Sequence, residues 1–537
     1  THTSATGRAT VFLISYAVLS GNGVSTQRAV GMCLIYLFAD VTGYAYDMLN
    51  ALGIVVLVLL WKNPFLLSYS GFVFSVMAVI AIGVGANVLL EWEHSWKRRQ
   101  QAGEETIKKT FFSRQKEGIL VSFAIQLFTI PLVAYSYYEI PVYAMLINLF
   151  VLAVVNGLLG LTVLGMIVGM AFLPAGRVLF APCGWMLDSY RFLCEVSLKI
   201  PGAQRITGKP AHMRIFWYYL GLGVFLLAIY ACARRNEKHK DCRETADLCV
   251  SRRKKRLQGI VFSCFIAFLL LFLLFPQKKS FEIDFLDVGQ GDGIYLCTGG
   301  GTSMFIDGGS TDVKQVGKYR ILPFLKAKGV SEISYWFVSH TDTDHVSGLK
   351  EVLVSGYRVE YLVFAKAVEK EAKTKELAEL ARSHGTKVLY MQAGDTVRSK
   401  RAAMRCLYPK ASDKAEDVND LCLVLQFEEG DIRALFGGDI STDVEEQLLR
   451  RRKWDKVLIF KADHHGSRYA NAEALLKCIR PEITVASAGK DNRYGHPSPD
   501  AVQRIKESGS RFFCTIEGGR IRVRVIENKL VCETYVK

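Results

Sequence analysis

Along the first half of the chain the hydrophobic positions come in long unbroken runs, not in the spaced stripe of a helix that covers a soluble core. Apolar stretches cover Thr10–Ser20, Gly31–Gly43, Leu49–Trp61, Phe65–Leu90, Ile119–Tyr135, Pro141–Gly160, Leu161–Phe180, Ile215–Ala233 and Ile260–Phe275. Crossing a bilayer takes about 20 apolar residues, so the longer runs read as spans and the shorter ones as tilted, re-entrant or bundle-buried helices. Roughly seven to nine membrane helices are expected. Between Arg177 and Arg214, Trp185, Tyr190, Phe192 and Leu193 are spaced among Asp188, Arg191 and Glu195. That spacing fits an interfacial amphipathic helix followed by a loop, or equally an ordinary surface helix.

After Phe275-Pro276-Gln277-Lys278-Lys279 the pattern changes. Short β-rich runs at Phe281–Val288, Ile294–Cys297, Ser303–Ile306, Ile333–Ser339, Leu421–Phe427, Ile432–Phe436 and Val457–Phe460 predict strands, and Glu369–Ser383 and Thr442–Arg451 predict helices. Alternating elements at this spacing imply a layered α/β domain. The expected organisation is multi-domain: a polytopic α-helical membrane bundle over 1–279, then a soluble domain over 280–537.

Charge refines this picture. The formal net charge of +16 divides into +12 before Gln277 and +4 from there on. The excess sits in two runs, Lys97–Lys116 and Arg234–Arg256, flanked by apolar segments as cytoplasmic loops are, so it is a topology signal more than a nucleic-acid footprint. The 13 cysteines form no CxxC pair and read as buried small hydrophobes. The chain opens on Thr1-His2-Thr3 with no signal-peptide pattern, and further protein upstream is expected.

The densest chemistry lies in Ser339-His340-Thr341-Asp342-Thr343-Asp344-His345, at a strand end and ahead of Gly348-Leu349. Burying two imidazoles and two carboxylates together without a cation is costly in desolvation and repulsion. A solvated loop would explain one such run, but ligand-type residues recur past two later strands. These are Gly437-Gly438-Asp439 and Asp463-His464-His465-Gly466-Ser467. Strand C-termini are where α/β folds build sites, and the residues point to a dinuclear hydrolase joined to a membrane bundle.

The H-x-D-x-D-H motif, the later Gly-Asp and the His-His-Gly-Ser resemble the metallo-β-lactamase superfamily. Leu286-Asp287-Val288-Gly289-Gln290-Gly291-Asp292, Asp307-Gly308-Gly309 and Tyr494-Gly495-His496-Pro497 resemble one branch of it, the ComEC competence proteins, which pass DNA across the membrane. Upstream, Ser25-Thr26-Gln27-Arg28-Ala29, Asp47-Met48-Leu49-Asn50-Ala51-Leu52 and Asn63-Pro64 are similar, in order, to the start of that family's membrane domain.

The resemblance implies an αββα metallo-β-lactamase-like sandwich and two divalent metal ions, manganese or zinc. It gives His340 and Asp342 to a first metal and Asp344 and His345 to a second, with Asp439 bridging. His465 is the remaining second-site ligand and His464 the alternative. Asp342 stands where most members carry histidine, and the oxygen-richer set tilts the metal toward manganese or a zinc/manganese mixture. The further first-site histidine usual in the superfamily has one counterpart, His384, at the end of an expected surface helix; Asn419 or Asp420, just before Cys422, are the alternatives. The first metal is expected to bind weakly.

Two such metals activate a bridging water and neutralise both oxygens of an in-line displacement at phosphorus. Asp344 and His496 are assigned to catalysis, His496 donating to the scissile phosphate or the leaving oxygen. Lys461, Ser467 and Arg468 read as phosphate contacts or as a solvated rim, and Asp287, Asp292 and Asp307 as turn caps that shape the cleft.

By resemblance, then, the chain is expected in the plasma membrane, passing single-stranded DNA while its hydrolase domain, meeting duplex at the surface, degrades the strand not imported. Membrane lipid and other competence-machinery proteins are the implied partners. The rival readings are a DNA channel with an inactive hydrolase-like domain, and a metallo-hydrolase acting on a lactone, thioester or β-lactam. With both basic runs cytoplasmic, four crossings between them and one after place the hydrolase domain outside.

Overall fold

The computed structural model describes residues 2–100, 111–238, 247–276, 279–415, 417–527 and 529–536. Its contacts divide the chain into two units, Thr1–Pro276 and Gln277–Lys537.

In the first unit the described elements are α1 (His2–Leu19), α2 (Val24–Thr42), α3 (Met48–Lys62), α4 (Ser70–Ile80), α5 (Asn87–Gln100), α6 (Phe111–Tyr137), strand β1 (Glu139–Pro141), α7 (Ala144–Ala171), α8 (Leu173–Lys199), strand β2 (Gln204–Ile206), α9 (His212–Lys238) and α10 (Asp247–Leu273). A π-turn over Ala81–Ala86 joins α4 to α5. Among the described residues four helices are long and apolar enough to cross a membrane: Ser70–Trp96, Lys116–Tyr137, His212–Arg235 and Arg253–Leu273. They share one core, with Ala81 and Leu89 of the first packed among Ala124 and Leu127, Tyr218 and Leu222, and Ile266 and Leu269. Close approach is achieved with small residues, Gly85 lying against the Phe128 ring and Gly221 against Leu269.

Pro131 lies inside α6 and has no N–H to offer the carbonyl four residues back. Apolar surroundings make a bare carbonyl expensive. Tyr218 answers this by donating its hydroxyl to Leu127 O at 2.9 Å, and Tyr219 donates to the next carbonyl, Phe128 O, at 2.8 Å.

One expected boundary is corrected here. The runs Pro141–Gly160 and Leu161–Phe180 do not divide where expected: α7 continues through Gly160-Leu161, where nothing breaks a helix, and stops at extended Phe172, ahead of Leu173-Pro174. The amphipathic segment is helical only to Lys199, after which β2 pairs antiparallel with β1. The basic runs lie partly outside the described residues, over 101–110 and 239–246. Not all cysteines are buried either, since Cys33, Cys194 and Cys264 lie on exposed helix faces.

The second unit contains strands β3 (Glu282–Phe285), β4 (Gly293–Cys297), β5 (Ser303–Asp307), β6 (Glu332–Phe337), β7 (Arg358–Ala365), β8 (Lys387–Met391), β9 (Thr396–Ser399), β10 (Ala402–Tyr408), β11 (Val424–Glu429), β12 (Ile432–Phe436), β13 (Ile459–Lys461), β14 (Ile483–Ala486), β15 (Arg511–Cys514), β16 (Ile521–Ile526) and β17 (Lys529–Thr534). They form an eight-stranded sheet, β17-β16-β3-β4-β5-β6-β7-β8, and a seven-stranded sheet, β15-β14-β13-β12-β11-β10-β9. Helices α11 (Leu322–Ala327), α12 (Thr343–Val354), α13 (Ala372–Ser383), α14 (Thr442–Arg451), α15 (Glu473–Ile479) and α16 (Pro499–Glu507) connect them.

Side-chain alternation along the strands sorts the apolar residues into three cores. Met304 and Ile306 of β5 face inward and meet Phe427, Ala434 and Phe436 of the other sheet. Phe305, between them, faces outward with Trp336 toward Ile321, Leu349 and Leu377. On the far side Leu435 and Phe460 face Val444, Leu475 and Ile505. The layers are therefore helix, sheet, sheet, helix: the αββα sandwich of the metallo-β-lactamase fold.

Candidate metal centre

Strands β5 to β8 run parallel in one sheet and β12 to β15 in the other, so the loops after β5, β6, β12, β13 and β14 each leave a strand C-terminus. Hydrogen bonds stitch these loops together. Asp292 N donates to Asp344 O, Gly309 N to Asp292 O, Leu423 N to Ser339 O, and His464 N to Gly438 O. Glycines make this approach possible: a Cβ on Gly309 would lie 2.5 Å from His345 N, and one on Gly291 2.5 Å from Asp344 O.

Two groups of ligand-type side chains result. Asp292, His345, Asp439 and His465 are all buried, with one donor atom each within 4.8 Å of the others, and His340, Asp344 and His345 form a second group sharing His345. His345 Nδ1 lies 3.0 Å from Asp307 Oδ2, so that nitrogen carries the proton and Nε2 faces the cluster, 3.4 Å from Asp439 Oδ2. His465 is arranged alike: Nδ1 donates to Ser487 O at 3.0 Å and Nε2 stands 3.3 Å from Asp439 Oδ2 and 3.7 Å from Asp344 Oδ2. Positive φ at both His464 and His465 splays this pair, sending His465 inward and leaving His464 partly exposed, its ring 5.5 Å from that of His496.

Asp292 Oδ1, His345 Nε2, Asp439 Oδ1 and His465 Nε2 are buried and have no hydrogen-bond partner. Orphaned polar atoms at this depth are costly in a native fold. These four converge and are of the chemical type that binds divalent cations, so the residues fit a metal pair.

The electrostatics point the same way. Burial opposes charge on His345 and His465, but Asp439, with Asp307 on the first and Asp292 on the second, holds both imidazoles well above the usual value. Burial likewise opposes ionisation of Asp439, and His465 and His345 overcome it, holding the carboxyl well below the usual range. His340 is driven down to about 4 by burial and then by His345. The arrangement is a knot of carboxylates and imidazolium groups whose protons a dication would displace.

The remaining residues sort less simply. Asp342 lies outside both groups: its half-exposed carboxylate takes Lys373 Nζ at 2.9 Å and stands 4.0 Å from His340 Nε2. His384, at the exposed end of α13, bonds Leu380 O and likewise belongs to neither group. Asn419 lines the cleft, whereas Asp420 accepts from Ser441 N. Cys422 is buried against His340 Nδ1 at 3.4 Å. His464, Tyr494 and His496 stand with Asp342 along a cleft of about 290 Å³.

One rim reading and two turn-cap readings need revision. Lys461 is no solvated rim: it is buried and ion-paired with Asp292 Oδ2 at 2.8 Å. Asp292 is a member of the cluster, and Asp307 holds His345 and accepts from Ser339 N and Oγ. Only Asp287 behaves as a cap, on Gly289 N. A signal was present in the sequence, in that Asp292 and Asp307 also close strand-flanked turns, but their partners lie too far along the chain to be seen.

Among known proteins, residues 1–231 match the family described as Competence protein. ComE operon protein 3 of Bacillus subtilis is 24% identical over 532 residues, covering 96% of this chain and 63% of its own length. Recombination protein 2 of Haemophilus influenzae is 23% identical over 97% of this chain and 63% of its own length. The chain thus spans about 63% of the length of these relatives. Among solved structures, the metallo-beta-lactamase fold protein YhfI from Bacillus subtilis aligns with TM-score 0.32 and 11% identity, covering 45% of this chain and all of that one. Zn(2+)-bound PqqB from Methylobacterium extorquens aligns with TM-score 0.30 and 11% identity over 43% of this chain and 87% of its own. Over residues 1–231 the chain thus resembles the Competence protein family, and along 96% of its length it is similar to ComE operon protein 3.

Proposed function

We propose that this membrane protein passes single-stranded DNA through its helical unit while its second unit, a metal-dependent phosphodiesterase, cleaves the strand that is not imported. The observation that carries the reading is the convergence of His340, Asp344, His345, Asp439 and His465 on one cleft, in a chain whose other half is a competence domain. Two divalent cations bound there, manganese or zinc, would supply an activated water and charge neutralisation at phosphorus. His345 and His465 would hold them through Nε2, Asp439 between them, with Asp344 and His340 completing the set. His496 is held down to about 4 by burial and then by His465 and His464, so at neutral pH its ring is uncharged. It serves as a hydrogen-bond donor to a phosphate oxygen at the cleft, not as a charged acid.

We place the protein in the plasma membrane with the hydrolase unit on the outer side, where it meets duplex DNA and the other competence-machinery proteins. Among the described residues two candidate spans, Lys116–Tyr137 and His212–Arg235, lie between the basic runs, an even number. Contacts support the same end for both: Lys255, opening the last span, pairs with Glu93 at 3.0 Å and His94 with Glu117 at 3.3 Å.

The test is cleavage of labelled single-stranded and duplex DNA by the purified full chain with manganese or zinc. Metal-dependent cleavage lost with EDTA is expected. Metal uptake without turnover would favour an inactive hydrolase-like domain, and turnover of a lactone or thioester but not DNA would reassign the substrate.

A further inference from the structure

Asp292 and Lys461 lie 169 residues apart and meet with both side chains only 1% exposed. A buried ion pair is worth keeping for stability only when its remaining lone pairs are satisfied; otherwise apolar residues of the same volume serve as well. Lys461 is satisfied, donating to Asp292 Oδ2 at 2.8 Å and to Ala462 O at 3.1 Å. Asp292 is not: Oδ2 is engaged, while buried Oδ1 has no hydrogen-bond partner and stands 3.6 Å from His465 Nδ1. Backbone bonds from Asp292 N to Asp344 O and from Gly309 N to Asp292 O fix the residue, and Oδ1 is left within reach of the donors of His345, Asp439 and His465. By contrast Asp342, which the sequence suggested as the oxygen that sets metal choice, is bonded to Lys373 outside the cluster.

We propose that Asp292 Oδ1, presented by the buried pair with Lys461, is a further ligand of the cation held by His345, Asp439 and His465, and that it biases this site toward manganese over zinc. The inference rests on the metal-site reading above. The chemistry is one of donor hardness: with Asp439 it brings two carboxylates to the two imidazoles of this site, and oxygen-rich sets favour harder cations. Lys461 is a positioning residue. Its ammonium occupies one carboxylate oxygen, leaving the other for the metal and limiting the negative charge gathered at one point.

The test uses the full chain in detergent and reads metal, not turnover. Asp292→Asn should weaken manganese binding at least about tenfold and move manganese/zinc competition toward zinc. It should also change the visible absorption of the cobalt-substituted chain, which reports ligand number. Because Asp292→Asn strands a buried ammonium, the double variant Asp292→Asn/Lys461→Met is made alongside, and it should show the same metal changes with a metal-free melting temperature near the parent's. Parental manganese affinity and cobalt spectrum in the double variant would overturn the proposal. So would a collapse of its metal-free melting temperature, which would assign the pair to the fold. Asp439→Ala is the benchmark for the site itself: if that variant keeps its metals, the metal-site reading fails independently of Asp292.

Discussion

With one oxygen, Oδ2, Asp439 lies 3.4 Å from His345 Nε2 and 3.3 Å from His465 Nε2. No other carboxylate of the cluster stands between two imidazoles in this way, so Asp439→Ala removes the group that would be common to both proposed metals. Metal content is expected to fall below one equivalent and cleavage by at least about a hundredfold, with the fold retained; near-parental values of both would take Asp439 out of the site. The same residues set a pH dependence. The imidazoles of His345 and His465 are raised, so their contribution is present below the unfolded value and lost as pH rises through the folded one. Asp439 is lowered, and its contribution is present above the unfolded value and lost as pH falls through the folded one. Metal binds the neutral imidazoles, so the gap in melting temperature between manganese-loaded and metal-free chain should widen from about pH 6 to about pH 9. Calorimetry across that range checks it, and a gap that stays constant or narrows would contradict the protonated metal-free knot. His340, Asp344, His345, Asp439 and His465 were legible because ligand-type residues cluster within a few positions at strand ends. The pairing of Asp292 with Lys461 was not, since the two lie 169 residues apart and only folding brings them together.

At the level of elements, glycine turns set how near the loops come. A methyl on Gly309 would press on Asp344 C and His345 N at 2.5 Å, both backbone atoms that cannot swing aside. Gly309→Ala should therefore cost about 2–4 kcal/mol, seen as a lower melting temperature with reduced metal content; a parental melt would show that the loop yields. In the helical unit, Tyr218→Phe strips Leu127 O of its donor and should cost about 0.5–1.5 kcal/mol. That cost should shrink in a Pro131→Ala background, where an N–H returns to serve the same carbonyl. A double-mutant cycle by thermal melting reads the coupling, and equal costs in both backgrounds would separate the tyrosine from the proline. Strands β12 and α14 were read to the residue because alternation and helical periodicity end sharply there. Strand β3 was overdrawn, since Leu286 and Val288 are buried in a turn, and apolar character alone does not distinguish turn from strand.

For the molecule as a whole, what matters is which side of the membrane each part occupies. Apolar run length made the membrane character plain, but it misplaced a helix boundary, because α7 and α8 divide at Phe172 and not where a span's worth of residues had elapsed. The topology proposed above, with an even number of crossings between the basic runs, puts both on one side. Protease added to intact protoplasts should digest the second unit; full protection until lysis would put it in the cytoplasm.

The pairing of the eight-stranded sheet carries a consequence in time. Strand β3, the first of the unit, lies between β4 and β16, and the bond from Arg522 to Asp284 spans 238 residues. At ribosomal speeds of roughly 5–20 residues per second, β3 waits on the order of 10–50 s for that neighbour. The unit cannot close its sheet while still being made. On the outward route proposed here, it would cross the bilayer as an open chain and fold afterwards, acquiring its metals on the far side, so the ions available outside the cell, not those of the cytoplasm, would decide which cation it carries.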